Sequence, residues 1–305
     1  MVIRLRSVLC PVMLAASVVV QVGPSIHRQL GGQPILAQSV PGYSLAGADG
    51  GVFTFGGPSR QRFFGSSANE RSVSPVSSVT SQGGFGGLYV AHAKGKVDPL
   101  GDKDFGGGQH QVNAPVVAIQ YFSANAGDGY WLATANGGVY TFGAAKFFGS
   151  LAGRSIDGSV VGMAASFGGG DGPDGYLLVT NRGRVYAFGG AVWQGDLASE
   201  HPTAPVVAIA DGTNRAYWLA TADGHVYAYG PVLSYGDMAG RPLAAPIVAI
   251  VSYLGWGYWL VGADGGVFSF GQAQYYGSMG GKHLTAPIVG AAFSSAQAQC
   301  SGAAC

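Results

Sequence analysis

The sequence predicts an all-β fold: a six-bladed β-propeller with four short antiparallel strands per blade, its ring closed by N-terminal strands pairing with a C-terminal strand. Three observations predict it. One hairpin signature occurs six times, its turn glycines 41 to 46 residues apart, and a period of that length marks propellers and solenoids. The flanking strands are apolar on both faces, as in a sheet covered on both sides. The chain also enters the repeat at its second strand and leaves after an innermost strand. Three strands from one end and one from the other then complete a sixth blade, which removes free sheet edges. The competing architecture is an open β-solenoid or a stack of hairpins.

The elements follow in order. The turns are Asp49-Gly50, Lys94-Gly95, Asn136-Gly137, Arg182-Gly183, Asp223-Gly224 and Asp264-Gly265. X-Gly between apolar runs predicts a type I′ hairpin, which needs positive φ at both central residues; Lys94 and Arg182 suit the first position less well than Asn or Asp. The strand before the turn is exemplified by Gly129-Tyr130-Trp131-Leu132-Ala133-Thr134, the strand after it by Gly138-Val139-Tyr140-Thr141-Phe142. Next comes a short aromatic stretch, read as the outermost strand: Phe147-Phe148-Gly149, Trp193-Gln194-Gly195, Ser234-Tyr235-Gly236 and Tyr275-Tyr276-Gly277. A β-branched run such as Pro205-Val206-Val207-Ala208-Ile209 closes each unit and suits the innermost strand, where blades converge. In the second copy Asp98-Pro99 breaks the pattern, and Pro99 has no N–H for a ladder bond, so that blade is expected to be irregular.

The segments Gly257-Tyr258-Trp259-Leu260-Val261-Gly262-Ala263-Asp264-Gly265-Gly266-Val267-Phe268-Ser269-Phe270-Gly271 and Tyr275-Tyr276-Gly277-Ser278-Met279-Gly280-Gly281 resemble a repeat of secreted actinobacterial proteins, where it often accompanies cell-wall or hydrolytic domains. More loosely, the hairpins resemble RCC1-like and quinoprotein propeller repeats. The resemblance covers about 250 residues. It implies export and a propeller-like fold. It carries no established active site, so it transfers no catalytic residue.

Composition bounds the function. Glycine supplies 53 of 305 residues, more than double the usual ~7%. Charged residues are 10% and the formal net charge is +1, which argues against nucleic acid as a partner. Arg4 and Arg6 precede an apolar run from Val8 to Val20, which reads as a secretory signal and is shorter than the ~20 residues of a membrane span. The expected division is a signal peptide and leader over residues 1–38, cleaved between Gly23 and Gln38, then the propeller over 41–294 and a tail over 295–305. The mature chain is expected to be secreted, monomeric and without a transmembrane segment. Cys300 and Cys305 in that tail are a candidate disulfide in an oxidising compartment.

No nucleophile elbow, His-Glu-x-x-His or Cys-x-x-Cys motif is present, and neither a cofactor nor a metal site is expected. The Asp-Gly loops at 125–129 and 171–175 carry carboxylate and carbonyl oxygens that could hold Ca²⁺, but such loops are more often plain turns and are read as turns. His92 and His225 read as strand or turn residues. Candidate ligand-binding residues cluster in the loop from the outermost strand to the next innermost strand. There Glu70, Arg154, Glu200, Arg241 and Lys282 share one aligned position, with His110 near it in the second copy. Arg71, His201 and His283 follow one residue later. A mixed ring of charge on one face suits ion pairs and hydrogen bonds to a ligand. The expected function is therefore a non-catalytic binding or interaction module for a carbohydrate or protein of the cell envelope or extracellular space. The alternative is a glycoside hydrolase or lyase using aspartates around the axis, since glycoside hydrolysis generally needs a pair of carboxylates.

Overall fold

A computed structural model of the chain describes residues 39–56, 65–69, 74–81, 87–101, 103–106 and 111–297. The chain is all-β there, with no α-helix among the described residues. Six three-stranded antiparallel sheets make up the fold. One joins β1 (Ser39–Gly47) and β2 (Val52–Gly56) to the last strand, β18 (Ile288–Gln297). The others take three consecutive strands each. They are β3 (Val76–Ser81), β4 (Leu88–His92) and β5 (Val97–Leu100); β6 (Val116–Phe122), β7 (Gly129–Thr134) and β8 (Val139–Gly143); β9 (Val160–Ser166), β10 (Gly175–Thr180) and β11 (Val185–Gly189); β12 (Val206–Asp211), β13 (Tyr217–Thr221) and β14 (Val226–Tyr229); β15 (Ile247–Ser252), β16 (Gly257–Gly262) and β17 (Val267–Gly271).

The first strands of successive sheets touch in the cyclic order β3, β6, β9, β12, β15, β18 and back to β3. Backbone bonds repeat the cycle. Ala48, Ala93, Ala135, Asn181, Ala222 and Ala263, each in a hairpin turn, accept from Val76, Val116, Val160, Val206, Ile247 and Ile288, the first residue of the next sheet or of β18. Six apolar clusters lie between neighbouring sheets, the last joining Tyr43 and Leu45 of β1 to Trp259 and Val261 of β16. This arrangement fits a six-bladed β-propeller. The core explains the sequence pattern: β7, β10 and β16 are buried at every residue, and Trp131, Trp218 and Trp259 are wholly enclosed. Burying rings of this size dominates core energetics.

Two expectations are corrected. The turns are not type I′. In each, the glycine N–H donates to the carbonyl three residues back, as Gly137 does to Thr134, and Thr134 N–H bonds Gly138. This is a three-residue loop with a left-handed third residue. Only that glycine has positive φ, between 77° and 94° across the six turns, so Lys94 and Arg182 sit at ordinary backbone angles. A Cβ on Gly137 would also meet Leu151 at 2.5 Å. The second correction is three strands per sheet instead of four. Where they are described, the aromatic stretches at 147–149, 193–195, 234–236 and 275–277 are not in the ladder, and their backbone groups are bound by side chains. Phe148 N–H donates to the Tyr176 hydroxyl, which donates to Gly149 C=O, and Trp131 Nε1 holds Lys146 C=O at 2.8 Å. Tyr217 and Tyr258 clamp Gln194–Gly195 and Tyr235–Gly236 in the same way. Tyr43 clamps Tyr276–Gly277 across 234 residues of sequence. The 147–149, 234–236 and 275–277 stretches thus hang between a tryptophan of their own sheet and a tyrosine of the next; 193–195 has the tyrosine alone.

The β3–β5 sheet, expected to be irregular, keeps its ladder through Pro99, opposite Tyr89.

Candidate functional site

Each innermost strand carries a register shift at its second residue: Ser77, Val117, Val161, Val207, Val248 and Val289. A bulge re-aims a side chain, and these six residues all line a central cavity of about 440 Å³ enclosed by the six strands. The strands begin beside the hairpin turns and end at the opposite face. Ser81, Asp211, Ser252 and Phe293 occupy one rung at that far end, opposite Leu88, Tyr217, Tyr258 and Tyr43. Burial pushes the pKa of Asp211 up to about 6, because a carboxylate removed from water favours its neutral form.

The charged loops lie on the turn face. Leu151, Leu197, Met238 and Met279 bond the turn glycines, and three residues later the N–H of Arg154, Glu200, Arg241 and Lys282 donates back to their carbonyls. The aligned positions are therefore equivalent in backbone structure. Their side chains, with His201 and His283, are exposed and make no side-chain hydrogen bond or ion pair to a described residue. The same face carries the Arg182–Asp157 ion pair at 2.9 Å. Glu70, Arg71, His110, Cys300, Cys305 and the leader over 1–38 lie outside the described residues.

Three features were not singled out in the sequence. The first is a rim of exposed rings: Phe147, Trp193 and Tyr275, all two residues before the clamped glycine, are 61%, 57% and 59% exposed. Trp193 Nε1 lies 3.4 Å from Asp196 Oδ2, and the Tyr275 hydroxyl donates to Ser278 at 3.2 Å. The second is Asp211. The third is a charged trio in the β3–β5 sheet, in which His92 and Asp98 are buried and Lys96 is partly exposed. His92 is 1% exposed, its ring nitrogens 3.0 Å from Ser74 C=O and 2.7 Å from Asp98 Oδ2, and Lys96 Nζ reaches the other Asp98 oxygen at 2.7 Å. Burial alone would raise the Asp98 pKa, but the contacts from His92 and Lys96 overcome it and hold the carboxyl well below the usual range. An alternation count could have found the rim, since only one of two adjacent aromatics can face inward.

Among the described residues, no group of three or more His, Cys, Asp or Glu is placed to hold a metal ion. Asp174 instead pairs with Arg215, and Asp128 accepts from Ser123 at 2.6 Å. No helix among them is long and apolar enough to cross a membrane.

No family model matches the chain, and no curated protein matches it. Among solved structures it is similar to BBS1N in complex with ARL6DN. The crystal soaked with mercury gives a TM-score of 0.44 at 12% identity, covering 76% of this chain and 75% of that one. The crystal soaked with lead gives 0.45 at 13%, covering 79% and 78%.

Proposed function

We propose that this chain is a secreted six-bladed β-propeller of the actinobacterial repeat type that acts as a non-catalytic binding module for envelope glycans. The observation that carries the reading is the rim of rings displayed at one position of the repeat, Phe147, Trp193 and Tyr275, each more than half exposed. A sugar ring presents flat apolar C–H faces, which cover an aromatic face while hydroxyls at the ring edge bond neighbouring polar groups; Asp196 and Ser278 stand beside Trp193 and Tyr275 for that role. Tyr and Trp supply rigid contact area at low entropic cost. Repetition around the rim lets a polymeric ligand engage several weak sites at once, which multiplies affinity without new contacts. The charged ring of Arg154, Glu200, His201, Arg241, Lys282 and His283 is an accessory surface on the turn face. The alternative hydrolase or lyase has Asp211 as the single carboxylate lining the cavity among the described residues, half of the pair such chemistry uses.

The test compares two triple variants of the mature protein in sedimentation with purified cell-wall polysaccharide. Phe147→Ala/Trp193→Ala/Tyr275→Ala should lower binding by at least about tenfold with an unchanged melting temperature, because the rings are exposed. Arg154→Ala/Arg241→Ala/Lys282→Ala should bind within about threefold of wild type. Full binding by the aromatic variant would overturn the glycan reading. Loss in the charge variant alone would move the site to the turn face.

A further inference from the structure

The central cavity has two unlike ends. At the turn face the bulge residues make it apolar, with five valines and Ser77. At the far end the lining includes Asp211 and Ser252. Asp211 is the one carboxylate among the described lining residues, and no lysine, arginine or histidine among them lines the cavity with it. Tyr121 is the other titratable residue there. The Asp211 carboxylate bonds its own backbone amide and makes no side-chain hydrogen bond or ion pair with another described residue. Asp98 is neutralised by His92 and Lys96 and Asp174 by Arg215, and Asp128, Asp237 and Asp264 accept hydrogen bonds from a hydroxyl or backbone N–H groups of other residues; Asp211 has neither. The neighbouring strand fills the same rung with neutral Ser252, so the fold does not require a charge at this position. Asp211 is only partly exposed, at the cavity wall; a half-shielded carboxylate without a counter-ion is disfavoured in its charged form, and perturbed carboxylates of this kind cluster at binding sites. The cavity volume falls within the range of small-molecule sites.

We propose that the central cavity binds the ammonium group of a small organic cation, with Asp211 as its counter-ion and the valine ring against its apolar part. Ser252 adds a hydroxyl at the charged end. The required chemistry is a protonated amine on a compact, partly apolar body. An amino sugar and a lysine side chain both supply it. This site is separate from the rim and stands whether or not the rim binds glycans.

The test follows the Asp211 carboxyl carbon by NMR through a pH titration of the full mature protein. Three additions are compared: glucosamine, N-acetylglucosamine and Nα-acetyl-lysine amide. At least one amine should lower the midpoint from about 6 by at least about one pH unit, because an adjacent cation favours the charged carboxylate. Neutral N-acetylglucosamine should leave it in place. A response to glucosamine alone identifies an amino sugar, and a response to the lysine amide alone identifies a peptide side chain. Calorimetry adds a second readout: Asp211→Asn should weaken amine binding at least about tenfold, while Asp157→Asn on the turn face should not. If neither amine moves the midpoint, or if Asp211→Asn binds as wild type does, the proposal fails. The wild-type titration decides the matter even where Asp211→Asn folds poorly.

Discussion

The β3–β5 and β15–β17 sheets share one ladder and differ in what fills it. In β15–β17 the sequence is regular: Tyr258 clamps the preceding aromatic stretch, Trp259 Nε1 holds Gln274 C=O at 2.7 Å, and Phe268 packs from the third strand. In β3–β5 the equivalent residues are Leu88, Tyr89 and Asp98. The Tyr89 hydroxyl takes over the tryptophan's task by donating to Lys103 C=O at 3.0 Å. Asp98 replaces an aromatic ring, and its charge is met by His92 and Lys96. The two sheets teach that the backbone cycle and the buried middle strand define the unit. The outer strand tolerates either an aromatic ring or a closed ionic group, provided no charge is left alone.

The sharpest way to break this equivalence is to open the ionic group. Asp98→Ala leaves His92 buried without its counter-ion and should cost about 3–5 kcal/mol of unfolding free energy. Phe268→Ala, from a half-buried ring, should cost about 2 kcal/mol. Urea unfolding of both variants measures the difference. The acid limb gives a second check. The carboxyl of Asp98 is held below its unfolded value, so its contribution is complete above about pH 4 and is lost as pH falls further. Asp98→Ala should flatten the acid limb, and Phe268→Ala should not. The pair Asp98→Phe with His92→Gly, which rebuilds the β15–β17 pattern, should restore most of the loss. Full loss in that pair would show that the two sheets are not interchangeable.

The next effect comes from the clamp. Tyr258→Phe removes two hydrogen bonds and leaves Tyr235 N–H and Gly236 C=O without their protein partner, a cost of about 1–3 kcal/mol. Leu88 makes no such clamp, so Leu88→Phe should show no comparable loss of hydrogen bonding. Burial raises the pKa of Tyr43, Tyr176, Tyr217 and Tyr258. Each therefore contributes stability that is present below its unfolded pKa near 10 and lost as pH rises through the higher folded value. Tyr258→Phe should make the alkaline limb of a thermal-melt series shallower than that of wild type. An unchanged limb would mean that the clamp is not formed.

What the sequence revealed follows from where backbone hydrogen bonds go. The six hairpins were legible because glycine is needed twice over at Gly137 and its equivalents, for a left-handed angle and for contact with Leu151. The turn type was not, because Asn136 and Asp264 suit both candidate loops. Buried strands such as β16 were legible from their apolar residues on both faces. The aromatic stretches misled: Phe147-Phe148 has the alternation of a strand, yet Tyr176 occupies the groups a ladder would use. The regular spacing of Arg154, Glu200, Arg241 and Lys282 goes with one repeated backbone bond, from each N–H to the carbonyl three residues back. Asp211 was invisible because an aspartate at the end of a β-branched run reads as a turn residue. His92 and Asp98 were invisible as a pair because their contact depends on cross-strand register.

The smallest expected effect tests the finest part of the comparison. Tyr89 and Trp259 occupy one position and hold their outer stretches through different atoms, a hydroxyl and an indole N–H. Lys103 lies two residues beyond Gly101, whereas Gln274 lies three beyond Gly271, so the stretch in the second sheet starts closer and a phenol suffices to reach it. Tyr89→Phe keeps the ring that stacks on Tyr121 at 5.5 Å and deletes only the anchor, so it should cost about 1 kcal/mol. Tyr89→Trp should not recover that loss, because the larger ring enters a stacked pair already in contact and overpacking is destabilising. Equal stability of Tyr89→Phe and wild type would show that the outer stretch is held by packing, and the anchor would then be incidental in both sheets.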